Sequence, residues 1–220
     1  MTQNTAQALP KETLVAYFDI YGFTELESYI ETTYVDTIVE IQDSLISHVR
    51  QISGCELYFF SDCAFLIYDI HNVKDEALHN SIRTFCDLLR SFYTTFLNKD
   101  FLLRGGVAAG PVLSRGNVFI GKPISEAVRL ERNGIAPLIL FPANKLMPLY
   151  GVLNSSIKKY IPMKDNRLLT AMVILPDEPH RIVTLLEKKL EESSYEYSQH
   201  GPKLASSISV LRMLLEDLGG

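Results

Sequence analysis

Residues 57–60 (Leu-Tyr-Phe-Phe) and 64–67 (Ala-Phe-Leu-Ile) are two apolar runs of strand length separated only by Ser61-Asp62-Cys63. So short a gap cannot carry a crossover connection, so the two strands must pair antiparallel as a tight β-hairpin. The hairpin sits between two helical patterns. Before it, Val35, Ile38, Ile41, Leu45, Ile46 and Val49 form a stripe interrupted by Gln42 and ending near Gly54; after it, Leu78, Ile82, Phe85, Leu89, Phe92 and Phe96 recur at helical spacing. An apolar run, Leu14 to Asp19, precedes the first helix and closes at a Tyr21-Gly22 turn. Phe101 to Ala109 follows the second helix as a strand, with Gly110-Pro111 read as a turn into Val112 to Ile120.

Residues 122–132 carry a helical pattern, 137–141 an extended one and 143–150 a short helix. Strands are expected at 158–163 and 168–174, then helices at 179–193 and 203–218. The order β-α-β-β-α-β with an appended β-α-β piece places the chain in the α+β class. It predicts a split βαβ (ferredoxin-like) arrangement, with a mixed, mostly antiparallel sheet flanked by helices. The expected organisation is a loose polar leader at 1–11, one domain over 12–175, and a helical extension at 176–220 that packs on the domain or on a dimer.

Of the 220 residues, 47% are hydrophobic and 21% charged, enough to bury a substantial core. A net charge of −5 argues against a broad nucleic-acid-binding surface, though not against a pocket for one small anion. Cys55, Cys63 and Cys86 form no CxxC pair and read as reduced, buried residues of a cytoplasmic protein. The N-terminus lacks a basic segment followed by an apolar one, and no apolar run reaches transmembrane length, so no membrane attachment is expected.

Asp19 ends a strand that reads as fully buried, where a carboxylate is costly unless paired or bound to a cation. Gly22 lets the backbone bend so that the following amides can face an anion. A helix-capping role explains Asp19 equally well. Asp62 sits at the hairpin tip, where Asp is also at home in an ordinary turn. Two carboxylates on neighbouring strand tips are, however, the arrangement that holds divalent ions against a triphosphate.

Phe18-Asp19-Ile20-Tyr21-Gly22-Phe23-Thr24 resembles the first metal-binding motif, FxDIxGFT, of class III nucleotidyl cyclases. Ser61-Asp62 stands where those enzymes have Gly-Asp. Residues 104–112 (RGGVAAGPV) look like their RxGxxxGPV strand, and 121–131 (GKPISEAVRLE) like their GxxVNxAxRLE helix. Leu138 to Ala143 is similar to the strand and turn that follow. The resemblance spans roughly 13–145, with the motifs in the family's order.

It implies the class III cyclase fold and a homodimer with active sites at the interface. Asp19, Asp62 and the Ile20 carbonyl would bind two divalent ions, Mn²⁺ or Mg²⁺. Gly22, Phe23 and Thr24 would offer amides to the phosphates, and Arg104 would face the triphosphate or contact the base. Arg129 would stabilise charge on the α-phosphate from the partner subunit; without the other motifs it reads as a surface helical arginine. Ser125 replaces the family's transition-state Asn, and Ser61 its Gly. Where purine cyclases read their base, this chain has Tyr58 and Val118. A bulky Tyr58 leaves room for one ring, although it also reads as an ordinary strand aromatic.

These departures look like the pyrimidine cyclases of bacterial Pycsar anti-phage systems, which make cUMP or cCMP as a second messenger. The expected substrate is UTP, with CTP as the alternative. Two other readings stay open: an adenylate or guanylate cyclase with an unusual base pocket, and an inactive cyclase-like nucleotide-binding module, which Ser125 favours. The five histidines show no metal-ligand spacing. Lys158, Lys159 and Lys164 lie where some cyclases place a phosphate-binding lysine, without a match that selects one.

Overall fold

The computed structural model describes residues 10–22, 32–73, 75–115, 118–144, 157–165, 167–193 and 201–216. Among these residues are eight strands: β1 (Lys11–Ile20), β2 (Cys55–Phe60), β3 (Cys63–Asp69), β4 (Leu103–Arg115), β5 (Val118–Ile120), β6 (Ile139–Pro142), β7 (Ile157–Pro162) and β8 (Leu168–Ile174). Five helices are α1 (Thr32–Val49), α2 (Asp75–Leu97), α3 (Lys122–Asn133), α4 (Pro179–Ser193) and α5 (Gly201–Glu216). The sheet runs β2-β3-β1-β4-β6-β8-β7, with β5 paired to β4 off this path. Only the β4–β6 pair is parallel; the other pairs are antiparallel. This is the expected mixed, mostly antiparallel α+β architecture.

The two sides of the central strand are chemically different. Leu14, Ala16, Phe18 and Ile20 of β1 point into the main core with Phe85, Leu89 and Phe92 of α2 and Ile38, Ile41 and Leu45 of α1. Ile182 and Leu186 of α4 and Leu204, Ile208 and Leu211 of α5 belong to the same core. The alternate residues Val15 and Tyr17 meet a small cluster with Phe65, Ala108, Val112, Phe119, Ile124 and Ala127. Strand alternation thus sorts one apolar run onto two faces. Among the described helices, only α3 lies on the second face. It seats directly on Gly106, where a Cβ would stand 2.3 Å from Leu130 Cβ and 2.5 Å from the Ala127 carbonyl oxygen.

Three expectations need correction. Gly110-Pro111 is not a turn: β4 continues through it, with Gly110 opposite Thr13 and Pro111 opposite Glu12. Pro111 lacks an N–H, which a strand tolerates where its other edge is unpaired, and β6 pairs with β4 only at Gly105 and Gly106. The reversal lies between Arg115 and Val118. The polar leader ends earlier than expected, because Lys11 is already in β1 and ion-pairs with Asp69 at 2.6 Å. The three cysteines are free but only half-buried. Of the short helix expected at 143–150, residues 145–150 lie outside the described residues.

Candidate active site

Asp19 closes β1 on the second face, directly between Cys63 of β3 and Arg104 of β4. The next residue, Ile20, donates its backbone N–H to the Asp62 carbonyl at 3.1 Å. The two residues expected to bind metal are therefore neighbours in backbone terms, Asp19 near the end of β1 and Asp62 in the turn between β2 and β3. The hairpin tip that presents Asp62 is tight: Ser61 takes a left-handed φ of 58°, a conformation that glycine adopts without steric cost. Gln42, the polar break in the α1 stripe, donates its side-chain amide to the Ser61 carbonyl at 3.0 Å. The interruption seen in sequence is a brace for the turn.

Arg104 sits between two acids. Its Nη2 is 3.2 Å from Asp19 Oδ2, and its Nε donates to Glu131 Oε1 at 2.6 Å. The guanidinium and both carboxylates are largely buried, at 14%, 19% and 4% side-chain exposure. Burial, then repulsion by Asp19, pushes the Glu131 carboxyl up to about 7, against the opposing pull of Arg104. Asp19 Oδ1 is buried and receives no hydrogen bond from an N–H or hydroxyl among the described residues; the raised Glu131 carboxyl shares a side-chain hydrogen bond with Asp19 when it holds its proton. An orphan carboxylate oxygen of this kind is costly as it stands, and a cation would remove the cost.

Glu131 was not singled out in the sequence, though a signal was present. It follows Leu130 and lies four residues after Ala127, on the buried stripe of α3 where a carboxylate is out of place. Tyr21 was also missed. It is 2% exposed, with the Arg104 guanidinium 5.4 Å from its ring centroid.

Ser125 and Arg129 lie one turn apart on the exposed side of α3. Ser125 Oγ donates to the Lys122 carbonyl at 3.0 Å. Arg129 lines a cleft of about 190 Å³ with Glu126, Asn144 and Arg167. Residues 129 and 131 project about 200° apart on a helix, so with Glu131 committed to Arg104, Arg129 points away from its own Asp19.

Tyr58 is on the second face. Its hydroxyl donates to Glu56 Oε2 at 2.7 Å, and its ring meets Phe119 at 4.7 Å between centroids. Burial, then Glu56, pushes its phenol up to about 12. The β5 residue that reaches Tyr58 is Phe119; alternation directs Val118, which is 59% exposed, to the opposite side. Gly22 turns the chain after β1 with φ 80°. Phe23 and Thr24 lie outside the described residues.

Asp19, Asp62 and the Ile20 carbonyl carry hard oxygen donors of the kind that suit Mg²⁺ or Mn²⁺. The unpartnered Asp19 Oδ1 fits that reading. Among the described residues no group of three or more His, Cys, Asp or Glu side chains forms a metal cage, so such a site would depend on backbone and substrate oxygens.

No protein-family model matches the chain, and no curated protein does. Solved structures do. The adenylyl cyclase CyaB from P. aeruginosa aligns at 17% identity and TM-score 0.51, over 76% of this chain and 95% of that one. A bacterial light-regulated adenylyl cyclase aligns at 16% identity and TM-score 0.55, over 81% and 98%. The monomeric guanylyl cyclase domain of the RhoGC fusion protein from the fungus Blastocladiella emersonii aligns at 16% and 0.55, over 76% and 96%. At these identities the likeness is one of fold: the chain has the fold of class III cyclase catalytic domains.

Proposed function

We propose that the chain is a homodimeric nucleotidyl cyclase that converts a pyrimidine nucleoside triphosphate, UTP in preference to CTP, into its 3′,5′-cyclic monophosphate and pyrophosphate. The observation that carries this reading is the unpartnered, buried Asp19 Oδ1 beside the Asp62 turn, on a fold that adenylyl and guanylyl cyclases share. In the reaction the ribose 3′-oxygen bonds to the α-phosphorus as the bond to the bridging oxygen breaks. When bound, two divalent ions would acidify the 3′-hydroxyl and neutralise the phosphate oxygens. Asp19, Asp62 and the Ile20 carbonyl would hold them, and Gly22, with Phe23 and Thr24, would offer amides to the phosphates. Arg104, already buried beside Asp19, would turn part of its charge to the triphosphate.

Arg129 faces away from its own Asp19, which supports a role in the partner's site, where it would stabilise charge on the α-phosphate. Ser125, one turn before it, would assist through a short or water-mediated hydrogen bond. The exposed apolar side chains of Phe60, Val118 and Ile120 support an interface with a second chain. The Tyr58–Phe119 pair narrows the space for a base, and the Tyr58 hydroxyl offers a hydrogen bond to a single-ring edge. The product would act as a second messenger in bacterial antiviral defence. A purine cyclase is the second reading, favoured by the adenylyl and guanylyl cyclases among the structural neighbours.

The deciding experiment supplies equal ATP, GTP, CTP and UTP with Mn²⁺ and resolves the products by chromatography. Cyclic UMP or CMP as the main product is expected. A cyclic purine as the main product overturns the base reading, and no cyclic product at all overturns the enzyme.

A further inference from the structure

Arg104 is held by more than its two acids. Gly134, where α3 ends, packs on its stem: a Cβ there would stand 3.4 Å from Arg104 Cδ and 3.6 Å from Cγ. Tyr21 covers the guanidinium, with 5.4 Å from Arg104 Cζ to the ring centroid. Tyr21 directly follows β1, and its backbone N–H donates to the Leu102 carbonyl at 2.7 Å, so the sheet fixes the near end of the residue. The far end of the ring is fixed by α5.

Ser207 of α5 is fully buried and stands 2.9 Å from the buried Tyr21 hydroxyl. A serine hydroxyl has one proton, which Ser207 directs to the Ile135 carbonyl at 2.8 Å or to the Lys203 carbonyl at 3.0 Å. Tyr21 therefore donates to Ser207 Oγ. Lys203, one turn earlier on α5, also meets the Tyr21 ring, its Nζ 5.1 Å from the centroid. Ile135 is the residue after Gly134. One buried hydroxyl thus ties the ring that covers Arg104 to the segment that backs its stem.

We propose that Ser207 is a positioning residue for Arg104. It touches no reacting group. By joining Tyr21 to the backbone at 134–135 it keeps the slot around the arginine closed and the guanidinium ordered between Asp19 and Glu131. A long side chain ordered before substrate arrives gives up less freedom when it engages a phosphate. The C-terminal helix thereby governs how well the site is preformed. The consequence for nucleotide binding rests on the cyclase reading above; the ordering of Arg104 does not.

Two measurements on the full chain test this. The first follows exchange of the Arg104 Nε–H with water by nuclear magnetic resonance, the signal being identified by its loss in Arg104→Lys. Ser207→Ala is expected to speed that exchange about tenfold, and Tyr21→Phe, which keeps the ring and removes only the bond, to act in the same direction. The double variant should be no faster than the faster single one, because both remove one bond. Leu211→Ala takes buried packing from the same helix and leaves the Ser207 hydroxyl in place, so it should lower the melting midpoint without changing the exchange. The second measurement is steady-state kinetics with UTP and Mn²⁺. Ser207→Ala should raise KM about fivefold with little change in kcat, an effect that disappears in an Arg104→Lys background.

Wild-type exchange in Ser207→Ala overturns the inference, as does equal acceleration in Leu211→Ala, which marks general loosening of the helix. If the unmutated chain cyclises a triphosphate, a KM change that persists undiminished with Arg104→Lys overturns it too. If the chain cyclises none, the cyclase reading falls, and the exchange comparison still decides whether Ser207 orders Arg104.

Discussion

Leu14, Ala16, Phe18 and Ile20 of β1 sink into a core shared with α1, α2, α4 and α5, whereas Val15, Tyr17 and Asp19 between them meet α3 and open surface. The first face is finished within one chain: Phe18, Phe85, Phe92 and Tyr93 are all under 2% exposed. The second carries the unpartnered carboxylate oxygen, the buried ion pairs and half-exposed aromatics. Packing is concentrated on one side of the sheet and, on the proposed function, chemistry on the other. A face that, in the proposed function, admits substrate and a second subunit cannot also be fully packed.

Substitutions can break this division, and the largest effect belongs to Asp19. Asp19→Asn should lower cyclic nucleotide formation by about a thousandfold or more, while the thermal midpoint stays level or rises as its repulsion of Glu131 disappears. Activity assays and melting curves on one preparation test both halves; a large fall in the midpoint would mean that the second face stabilises the chain after all. On the first face, Phe92→Ala should cost about 3–5 kcal/mol in denaturant unfolding. Phe119→Ala should cost about 1 kcal/mol or less in the monomer while shifting sedimentation toward monomer and lowering activity.

A pH series sharpens the contrast further. Glu131 binds its proton more tightly folded than unfolded, so its stabilising effect is complete below about 4.5 and is lost as pH climbs toward about 7. Melting temperature should therefore fall across that window from this group, and Glu131→Gln should flatten the slope. The smallest effect is expected at the hairpin tip. Ser61→Gly relieves a left-handed serine and should stabilise by roughly 0.5 kcal/mol, offset in part by added freedom in the unfolded chain.

Much of the fold could be read from periodicity, because spacing reports which side of an element is apolar. The hairpin, α1, α2 and the β1 strand emerged in this way, but the sorting of β1 onto two faces did not, because its run is apolar on both. The continuation of β4 did not: Gly110-Pro111 carries turn chemistry, and only pairing with Lys11 to Thr13 of β1 shows that it is extended. The strand-end carboxylates stood out as misplaced charge. Glu131 sat on the buried stripe of α3 and could have been noticed in the same way, but its partner Arg104, 27 positions away, could not be read from the pattern. The Tyr21–Ser207 bond joins residues 186 positions apart, and no local pattern encodes such a partner. Arg104 shows the same limit: its position on β4 implied a cleft, but not that two acids would already hold it.

The seat of α3 on β4 has a practical consequence for laboratory evolution. Gly105 backs onto Tyr17 and Phe18, and Gly106 onto α3, with no room for even a methyl group. Random libraries covering those codons should return glycine almost exclusively, whatever selection is imposed. Attempts to retune nucleotide choice are better aimed at the rim formed by Tyr58 and Phe119, where side chains of other sizes can be tolerated without displacing the helix that carries Arg129.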